Sequence, residues 1–336
     1  MIEKKENVLI SVVMTIFRGT AYLEEAIESI LNQTYSTFEF IIVCEYETSK
    51  ECLEIVDKYA AKDERIVLIK NEEKLGISAS LNRGLKCAKG EYIARMDDDD
   101  ISSPRRLEIQ KMYMDSYPEI GICGIRHKVL NAPNWLVDYS ADPQQLQTDL
   151  LFFSPLRHPT IMMRKTVIEK FQLYYDEELP GAEDYELYIR AAQCTRITNI
   201  LEDNLFYHRR TNQNLSLIHR DRDNALQITF MRNHYLTNLK LAFSDREFKC
   251  LLVVTMFRDL AENQYMEEIQ QLRKLLDQIL NANRESGKYS DMHLIKSSYH
   301  RWQRVRYSLK MIYHGNIPQY LLDEWRKGKY YCKWMN

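Results

Sequence analysis

The chain has 336 residues, 45% of them hydrophobic, and a formal net charge of -2. This length predicts about two domains with a large buried core, and the apolar content excludes an intrinsically disordered chain. The seven cysteines are odd in number and form no C-x-x-C pair, which argues against a disulfide framework and a zinc site and is typical of reduced thiols. The N-terminus has no signal-peptide core, and the longest apolar run is too short to span a bilayer, so a cytoplasmic or membrane-peripheral protein is expected.

The chain then alternates between short apolar runs and amphipathic segments. The β-branched run at 8–14 predicts a buried parallel strand. Residues 20–33 have helical apolar spacing, with Glu24 and Glu25 near the start, where the helix dipole favours acids. The same alternation predicts strands at 38–44, 65–69 and 91–96 and helices at 49–59 and 78–88. Ser103 and Pro104 are then expected to open a further helix as its N-cap and first residue.

Four such repeats with short connections predict right-handed crossovers and a mostly parallel sheet covered by helices, an α/β fold. These sheets bind ligands at the carboxyl ends of their strands, where the strand order reverses. Thr15, Glu45 and the run Asp97–Asp100 all follow strand ends. Spacing alone does not fix the strand order; if the order is 3-2-1-4, the fourth strand lies beside the first, and the crevice opens between Thr15 and Asp97.

The four consecutive aspartates suggest a metal site. In extended chain, side chains two apart share a face, so Asp97 and Asp99 share one face while Asp98 and Asp100 share the other. Such hard oxygen ligands suit Mg²⁺ or Mn²⁺, with the phosphate oxygens of a nucleotide diphosphate completing the shell. An EF-hand is excluded, because Ser102 stands at the sixth position, where that loop needs Gly. A solvated turn or helix start remains the equally weighted alternative.

Three longer motifs occur in order between residues 8 and 216. They are VLISVVMTIFRGTAYLEEAIESILNQTYSTFEFIIV, NEEKLGISASLNRGLKCAKGEYIARMDDDDISSPRRLEIQ, and HPTIMMRKTVIEK followed by GAEDYELYIRAA. Together they resemble the bacterial family 2 glycosyltransferases, which have the GT-A fold. The resemblance implies an inverting transfer of a sugar, dependent on Mn²⁺ or Mg²⁺, from a nucleotide-sugar donor, with a UDP-sugar favoured. The implied acceptor is a hydroxyl of a growing surface polysaccharide or a lipid-linked oligosaccharide.

The resemblance also implies roles within the aspartate run. Asp97 lies near the ribose of the donor, and Asp99 is the main protein ligand of the metal. Asp98 belongs to the same nucleotide-sugar-binding run, at a position where the family tolerates a small residue. Asp100 is expected to brace the turn into the helix that follows.

Inversion also needs a base for the acceptor hydroxyl. Glu183 and Asp184 follow a glycine at the start of an amphipathic helix, and the resemblance makes Asp184 the catalytic base and Glu183 an acceptor-side or supporting residue. Without the resemblance, acids at a helix start are ordinary capping residues. His158, in RHPT, is expected to contact donor or acceptor at the edge of the site, with a purely structural histidine as the equal alternative.

Some positions depart from the family pattern. Glu45 stands where the family usually has aspartates, and Thr15 stands where proline is frequent; both are expected to bind the nucleotide-sugar. The segment LFYHRRTNQNLS resembles one that often carries a histidine near the metal or diphosphate, and that position here is Thr211. A cationic residue of the same segment is expected to replace the missing histidine, and the candidates are His208, Arg209 and Arg210. Of these, Arg209 is assigned to the donor site.

The last third has no further strand pattern. Ser244 and Glu247 have capping-box spacing before an apolar helix, and the predicted division is a catalytic domain at 1–216 and a helical region at 217–336. From Arg301 onward, eight Lys or Arg stand against two acids, interleaved with Trp and Tyr. This tail suits an anionic membrane surface at the inner face of the cell membrane. A packed helical hairpin with a solvated basic face is the favoured alternative, and no nucleic-acid module accompanies the tail.

Two other functions use related chemistry. A sugar-nucleotide pyrophosphorylase needs a Gly-rich, basic phosphate loop after the first strand, whereas TIFRGTAYLEE has one Gly and one Arg. A non-catalytic nucleotide-sugar-binding homologue is the second alternative, because of Glu45 and Thr211. Assays of donor hydrolysis or transfer separate this alternative from an enzyme.

Overall fold

The computed structural model describes residues 9–19, 21–130, 132–137, 139–179, 181–210, 220–255 and 264–327. They form two compact units. The first comprises Met1–Pro143 and Pro155–Asp223, and the second comprises Gln144–Ser154 and Asn224–Asn336. The predicted division at residue 216 lies outside the described residues and stays a prediction.

The described strands are β1 (Ile10–Ile16), β2 (Phe38–Cys44), β3 (Ile66–Lys70), β4 (Tyr92–Met96), β5 (Ile101–Ser102), β6 (Ile120–Ile125), β7 (His127–Val129), β8 (Ala132–Val137), β9 (Met162–Arg164), β10 (Arg196–Ile200) and β11 (Phe206–His208). The described helices are α1 (Leu23–Leu31), α2 (Lys50–Ala60), α3 (Ile77–Cys87), α4 (Arg106–Ser116), α5 (Pro143–Asp149), α6 (Lys165–Phe171), α7 (Glu183–Cys194), α8 (Arg220–Leu239), α9 (Asp245–Thr255), α10 (Tyr265–Ser286), α11 (Asp291–Ile312) and α12 (Gln319–Lys327). A 3₁₀ turn spans His158–Thr160.

A seven-stranded sheet in the order β10-β6-β9-β4-β1-β2-β3 forms the centre of the first unit. The predicted order 3-2-1-4 is therefore confirmed. Strands β1 to β4 pair in parallel, while β9 runs antiparallel between β4 and β6. A smaller sheet has the order β5-β11-β7-β8. The carboxyl ends of β1 and β4 consequently lie side by side, as the predicted crevice requires.

The central strands are buried on both faces, which explains their uninterrupted apolar sequence. Every residue of β1 and β2 is buried. One face packs against α1 and α4, whose buried side chains include Ile27 and Leu107. On the other face, α3 approaches so closely that a Cβ on Gly84 would lie 2.4 Å from Val13 Cγ1. This close packing positions the strand ends at which the site is built.

Local signals predicted some helix boundaries and not others. Ser49 caps α2 by accepting a hydrogen bond from Cys52 N at 3.2 Å. The predicted N-cap at Ser103 is wrong, since α4 begins at Arg106. The chain is still held by β-structure at this point, because Ser102 pairs with Phe206 and Ser103 N donates to the Leu205 carbonyl at 3.0 Å.

The second unit is helical. The predicted capping box opens α9, where Ser244 N donates to Glu247 Oε2 at 2.9 Å and Glu247 N donates to Ser244 Oγ at 3.3 Å. Trp302 and Trp325 are both buried, and each indole N–H donates to the backbone carbonyl of the other, at 3.0 and 3.3 Å. Among the described helices, none combines the length and the apolar character that crossing a membrane requires.

Candidate active site

The aspartate run follows the carboxyl end of β4, beside β1. Asp99 and Asp100 are 8% and 1% exposed, and Asp97 forms an ion pair with the buried Arg95. One carboxylate oxygen from each of Asp97, Asp99 and Asp100 lies within 4.8 Å of the others. The predicted pairing of faces is therefore wrong for Asp100, because the chain bends after Met96 instead of remaining extended.

Asp100 is held by the end of β11. The pairing of β5 with β11 brings His208 Nδ1 to 3.0 Å from Asp100 Oδ1, and Arg209 N donates to the same oxygen at 2.8 Å. The expected bracing of the turn into the following helix by Asp100 stays a prediction, and the described bonds of its carboxylate come from the end of β11. Arg209 Nε also donates to the Asp99 carbonyl at 3.0 Å. Thr211 lies outside the described residues.

The crowded carboxylates resist ionisation. Burial raises the pKa of Asp98 to about 7, and the neighbouring Asp99 adds to this. Burial and Asp100 raise the pKa of Asp99 to about 6, against the opposing influence of His208 and of two arginines. Three converging oxygen donors with such repulsion fit a divalent cation, whose charge would favour the ionised carboxylates. The residues present thus suit Mg²⁺ or Mn²⁺.

Strand β9 brings a second set of side chains to this place. Because β9 runs antiparallel to β4, with Met162 opposite Ala94, the residues that precede β9 lie beside the end of β4. Arg157 is one of them, and its Nη2 donates to His208 Nε2 at 2.7 Å. Its Nε is buried with no hydrogen-bond partner among the described residues. Sequence reasoning missed Arg157, since only the antiparallel insertion of β9 brings it to the aspartates.

His158 is adjacent to Arg157 in the 3₁₀ turn. Its Nε2 lies 2.8 Å from the Tyr175 hydroxyl. Burial lowers the pKa of His158 well below its usual value, and the cationic Arg95 and Arg157 lower it further. The imidazole is therefore neutral at physiological pH, which suits a hydrogen-bonding role rather than that of a cation. Its predicted contact with donor or acceptor stays a prediction.

The acid pair opens α7, as the sequence predicts. Glu183 is buried, and its Oε2 accepts a hydrogen bond from Gly181 N at 2.5 Å. Asp184 Oδ1 accepts one from Tyr185 N at 2.7 Å. Burial and the adjacent Asp184 raise the pKa of Glu183 to about 7. Burial also raises the pKa of Asp184. A raised carboxyl pKa suits a group that takes up a proton near neutral pH.

The two acidic groups share the same cations. Arg95 and Arg157 both lower the pKa of Asp99, and both lower that of Asp184. Coulombic influence of this kind requires proximity. The aspartate run and the acid pair consequently both lie near Arg95 and Arg157 in the first unit.

Glu45 follows β2 and anchors the neighbouring loop. Its two oxygens accept hydrogen bonds from Gly76 N at 2.6 Å, Ser80 Oγ at 3.0 Å and Leu75 N at 3.1 Å. Burial alone would raise the pKa of Glu45, but the hydrogen bonds outweigh it and the pKa is lowered. Thr15, at the end of β1, is 8% exposed. The predicted nucleotide contacts of both residues stay predictions.

Comparison with known proteins settles the family. Residues 11–171 match Glycosyl transferase family 2. An uncharacterized glycosyltransferase of Methanocaldococcus jannaschii is 35% identical over 218 residues, which cover 63% of this chain and 74% of that protein. The O-antigen biosynthesis glycosyltransferase WbnJ of Escherichia coli is 32% identical over 241 residues, which cover 68% of this chain and 92% of that protein. The chain belongs to glycosyltransferase family 2.

Solved structures agree on the fold of this glycosyltransferase. S. aureus TarS 1-349 in complex with UDP-GlcNAc is similar with a TM-score of 0.59 and 17% identity, over 95% of this chain and 92% of that chain. Mannosyltransferase PcManGT from Pyrobaculum calidifontis, in complex with GDP-Man and Mn²⁺, is similar with a TM-score of 0.53 and 14% identity, over 95% and 86% of the two chains. The predicted GT-A fold is confirmed.

Proposed function

We propose that this glycosyltransferase moves a sugar from a UDP-sugar, with inversion and with Mn²⁺ or Mg²⁺, to a hydroxyl of a saccharide acceptor. The observation that carries the proposal is the convergence of the Asp97, Asp99 and Asp100 oxygens within 4.8 Å of one another, near two arginines that also lie near Asp184. A metal-binding group and a proton-accepting group are the two parts that such a transfer needs.

The chemistry of the donor set identifies the residues that would hold the metal: Asp97, Asp99 and Asp100. When bound there, the ion supplies positive charge beside the departing diphosphate. Asp99 is the central ligand of the proposal because its carboxylate is buried, and burial together with the neighbouring Asp100 raises its pKa. Asp97, Asp98, Thr15, Glu45 and Arg209 remain the proposed nucleotide-sugar contacts.

Asp184 acts as the base in this proposal. Its carboxylate takes the proton of the acceptor hydroxyl while the hydroxyl oxygen forms the new bond to the anomeric carbon. The bond from that carbon to the diphosphate oxygen breaks, and its electron pair leaves with the nucleoside diphosphate. Attack from the face opposite the leaving group inverts the configuration. Glu183 supports Asp184 on the acceptor side.

Arg157 is the proposed charge partner of the reaction. Its guanidinium bonds to His208 through Nη2 and keeps a buried Nε without a partner among the described residues. A preorganised cation in a buried site stabilises negative charge that develops in the transition state. The Nε–H is therefore positioned to interact with the donor diphosphate as its charge grows.

The acceptor belongs to a surface polysaccharide or a lipid-linked oligosaccharide in this proposal. The support is the similarity to WbnJ, a glycosyltransferase of O-antigen biosynthesis. With such an acceptor, the proposed site of the reaction is the cytoplasm, at the inner face of the cell membrane. The membrane contact predicted for the C-terminal tail is part of the proposal, and residues 328–336 lie outside the described residues.

A thermal-shift panel tests the proposal most directly. UDP, GDP, CDP and dTDP are each added with and without Mn²⁺, and the midpoint of unfolding is measured. A ligand that binds only the folded chain stabilises it by about 2.7 kcal/mol at a hundred times its dissociation constant. Stabilisation by UDP that requires Mn²⁺ is expected. The absence of metal-dependent stabilisation by any of the four would overturn both the metal site and the donor class.

Family membership counts against the pyrophosphorylase alternative, since the relatives are glycosyltransferases. A panel of UDP-sugars assayed for release of UDP, with and without an acceptor, measures the transfer itself. Formation of UTP and a sugar 1-phosphate from the UDP-sugar and added pyrophosphate would point to the pyrophosphorylase reaction instead.

A further inference from the structure

The second unit contains a cavity of about 570 Å³ between the end of α11, the turn that follows it and α12. This volume is within the range of small-ligand sites. Four of the lining residues, spaced three or four positions apart, share one face of α11: Gln303, Arg306, Tyr307 and Lys310. On the same helix they lie next to a row of buried side chains that includes Trp302 and Leu309. The packing face of α11 is thus separate from the face that lines the cavity.

The lining combines positive charge with hydrogen-bonding groups. Arg306 and Lys310 supply two cations, Gln303 and Asn316 supply two amide side chains, and Tyr307 supplies an aromatic ring that is 54% exposed. Amides hydrogen-bond hydroxyl groups, and an exposed ring covers apolar C–H surface.

The acids nearest along α12 are already paired elsewhere. Asp323 pairs with Arg326, and Glu324 pairs with Arg273 and Lys327. Among the described residues, the structure gives neither Arg306 nor Lys310 an acidic partner. The Arg306 guanidinium lies 5.1 Å from the centre of the Trp325 ring, which holds it in place without neutralising it. The lining therefore carries two exposed cations for which the described residues supply no acidic partner.

The wall beyond α11 is a defined turn. Gly315 N donates to the Lys310 carbonyl at 2.8 Å, and His314 N donates to the Met311 carbonyl at 3.3 Å. This pair of bonds is a Schellman motif, and His314 and Gly315 have φ angles of 47° and 90°. The last carbonyls of the helix are satisfied by these bonds, so they offer little competition to an anion at the two cations. A preorganised wall reduces the entropy that binding costs.

We propose that this cavity binds an anionic saccharide unit, one that carries a carboxylate or a phosphate. The two cations bind the acidic group, the amides bind hydroxyls, and Tyr307 covers the apolar face of the sugar ring. As a site for part of the acceptor, this proposal rests on the proposed glycosyl transfer. An anionic lipid surface is the competing occupant, but a concave cavity with two amide side chains fits a hydroxylated ring better than a flat layer of headgroups.

The test measures binding of trigalacturonate to the full chain by isothermal titration calorimetry. Maltotriose is the uncharged control ligand, and glucose 6-phosphate tests the phosphate form of the anion. Wild-type protein is expected to bind trigalacturonate, more weakly at high salt, and to bind maltotriose poorly. The variant Arg306→Gln/Lys310→Gln is expected to lose at least about tenfold in affinity, as removal of paired charges at a recognition site does.

A matched control removes two positive charges from the same unit, away from the cavity. Lys288→Gln/Lys296→Gln changes exposed lysines and is expected to bind as wild type does. Tyr307→Phe keeps the ring and should retain binding, whereas Tyr307→Ala should weaken it. Circular dichroism melts of every variant establish that each is folded at the temperature of the titration.

Equal trigalacturonate binding in both double variants, or none in wild type, would overturn the proposal. So would binding to vesicles of phosphatidylglycerol that depends on Arg306 and Lys310 without any saccharide binding. Stabilisation by UDP with Mn²⁺ is measured on the same samples. If the cavity variants keep this stabilisation but bind trigalacturonate as wild type does, only the cavity proposal fails. If wild type shows no such stabilisation, the proposed transfer fails.

Discussion

The aspartate run and the acid pair are both acidic, partly buried and influenced by Arg95 and Arg157, yet they differ in what surrounds their oxygens. In the run, three carboxylates converge, and His208 and Arg209 hold Asp100 from the second sheet. In the pair, the hydrogen bonds that the described residues give to the Glu183 and Asp184 carboxylates come from the backbone amides of Gly181 and Tyr185. The converging carboxylates of the aspartate run suit the binding of a cation. The acid pair, which has no third converging carboxylate among the described residues and has raised pKa values, suits the uptake of a proton.

The largest effect is expected for Asp184→Asn. The amide keeps the shape and the bond to Tyr185 N but cannot accept the proton, so the turnover number should fall by about 10²–10⁴-fold. Binding of UDP with Mn²⁺, measured by thermal shift, should be unchanged. Near-normal turnover in this variant would contradict the assignment of Asp184 as the base. It would also contradict the separate roles proposed for the two acidic groups.

In Asp99→Asn, unlike in Asp184→Asn, the metal-dependent binding of UDP should be lost. Loss of the central ligand should abolish the part of the UDP stabilisation that requires Mn²⁺, and turnover should fall because the metal is no longer held. Asp57→Asn is the matched control, because Asp57 lies in the same unit in an exposed pair with Lys70. That change should cost about 0–1 kcal/mol of stability and leave metal dependence intact. Metal-dependent stabilisation that survives in Asp99→Asn would contradict the site.

Arg157 connects the two regions, and its removal should affect both. Arg157→Gln takes away a cation that lowers the pKa of Asp99 and of Asp184. The acid limb of the pH profile of kcat/KM should therefore move to higher pH, and kcat should fall. Arg157→Lys keeps the charge but not the planar donor set, so it should restore the pH profile more than the rate. An unshifted profile in Arg157→Gln would show that the two regions are not coupled through this residue.

The pH dependence of the wild type should come from the acid pair. Because burial and Asp184 raise the pKa of Glu183 to about 7, turnover should fall as pH drops through this range and the pair takes up a proton. Glu183→Gln should move that fall to lower pH, since Asp184 loses a negative neighbour. The folded chain binds this proton more tightly than the unfolded chain does, so the contribution of Glu183 to stability decreases as pH rises from about 4.5 to about 7. Melting curves at pH 5 and pH 8 should therefore differ less in the variant.

The smallest effect is expected for Glu45→Gln. Its carboxylate accepts bonds from Gly76 N and Ser80 Oγ, and loss of the charge should cost about 1–3 kcal/mol of stability. Because the folded-state pKa of Glu45 is lowered, its contribution is present above the ordinary carboxyl pKa and is lost as pH falls through the lowered value. The difference from wild type in urea denaturation should shrink at acid pH. A constant difference would indicate that the charge has no part in holding the loop.

Prediction from sequence succeeded where the evidence was local. The β-branched runs located β1 to β4 within two residues of their ends, because such runs are typical of strands buried on both faces. The spacing of the short connections does not by itself fix a strand order, and the order 3-2-1-4, taken as a hypothesis, is the one that the sheet has. Thr15, Glu45 and the aspartates therefore lie at the expected edge of the sheet.

Prediction was incomplete where distant segments meet. The role of Asp100 depends on β5 pairing with β11, which begins more than a hundred residues later in the chain. Arg157 and His158 reach the site only because β9 inserts antiparallel beside β4. Arg95 lies in the apolar run of β4, and no local pattern indicates that its guanidinium would influence both acidic groups.

The sequence by itself determined the α/β alternation, because neighbouring residues follow the spacing of a strand or a helix. It also indicated the family and the two acidic motifs, through the resemblance of its ordered motifs to family 2 glycosyltransferases. Only the tertiary structure decided which carboxylates converge, which cations face them and which acids carry raised pKa values. Those properties depend on distance and burial, and both are set by pairing between segments that the chain order keeps far apart.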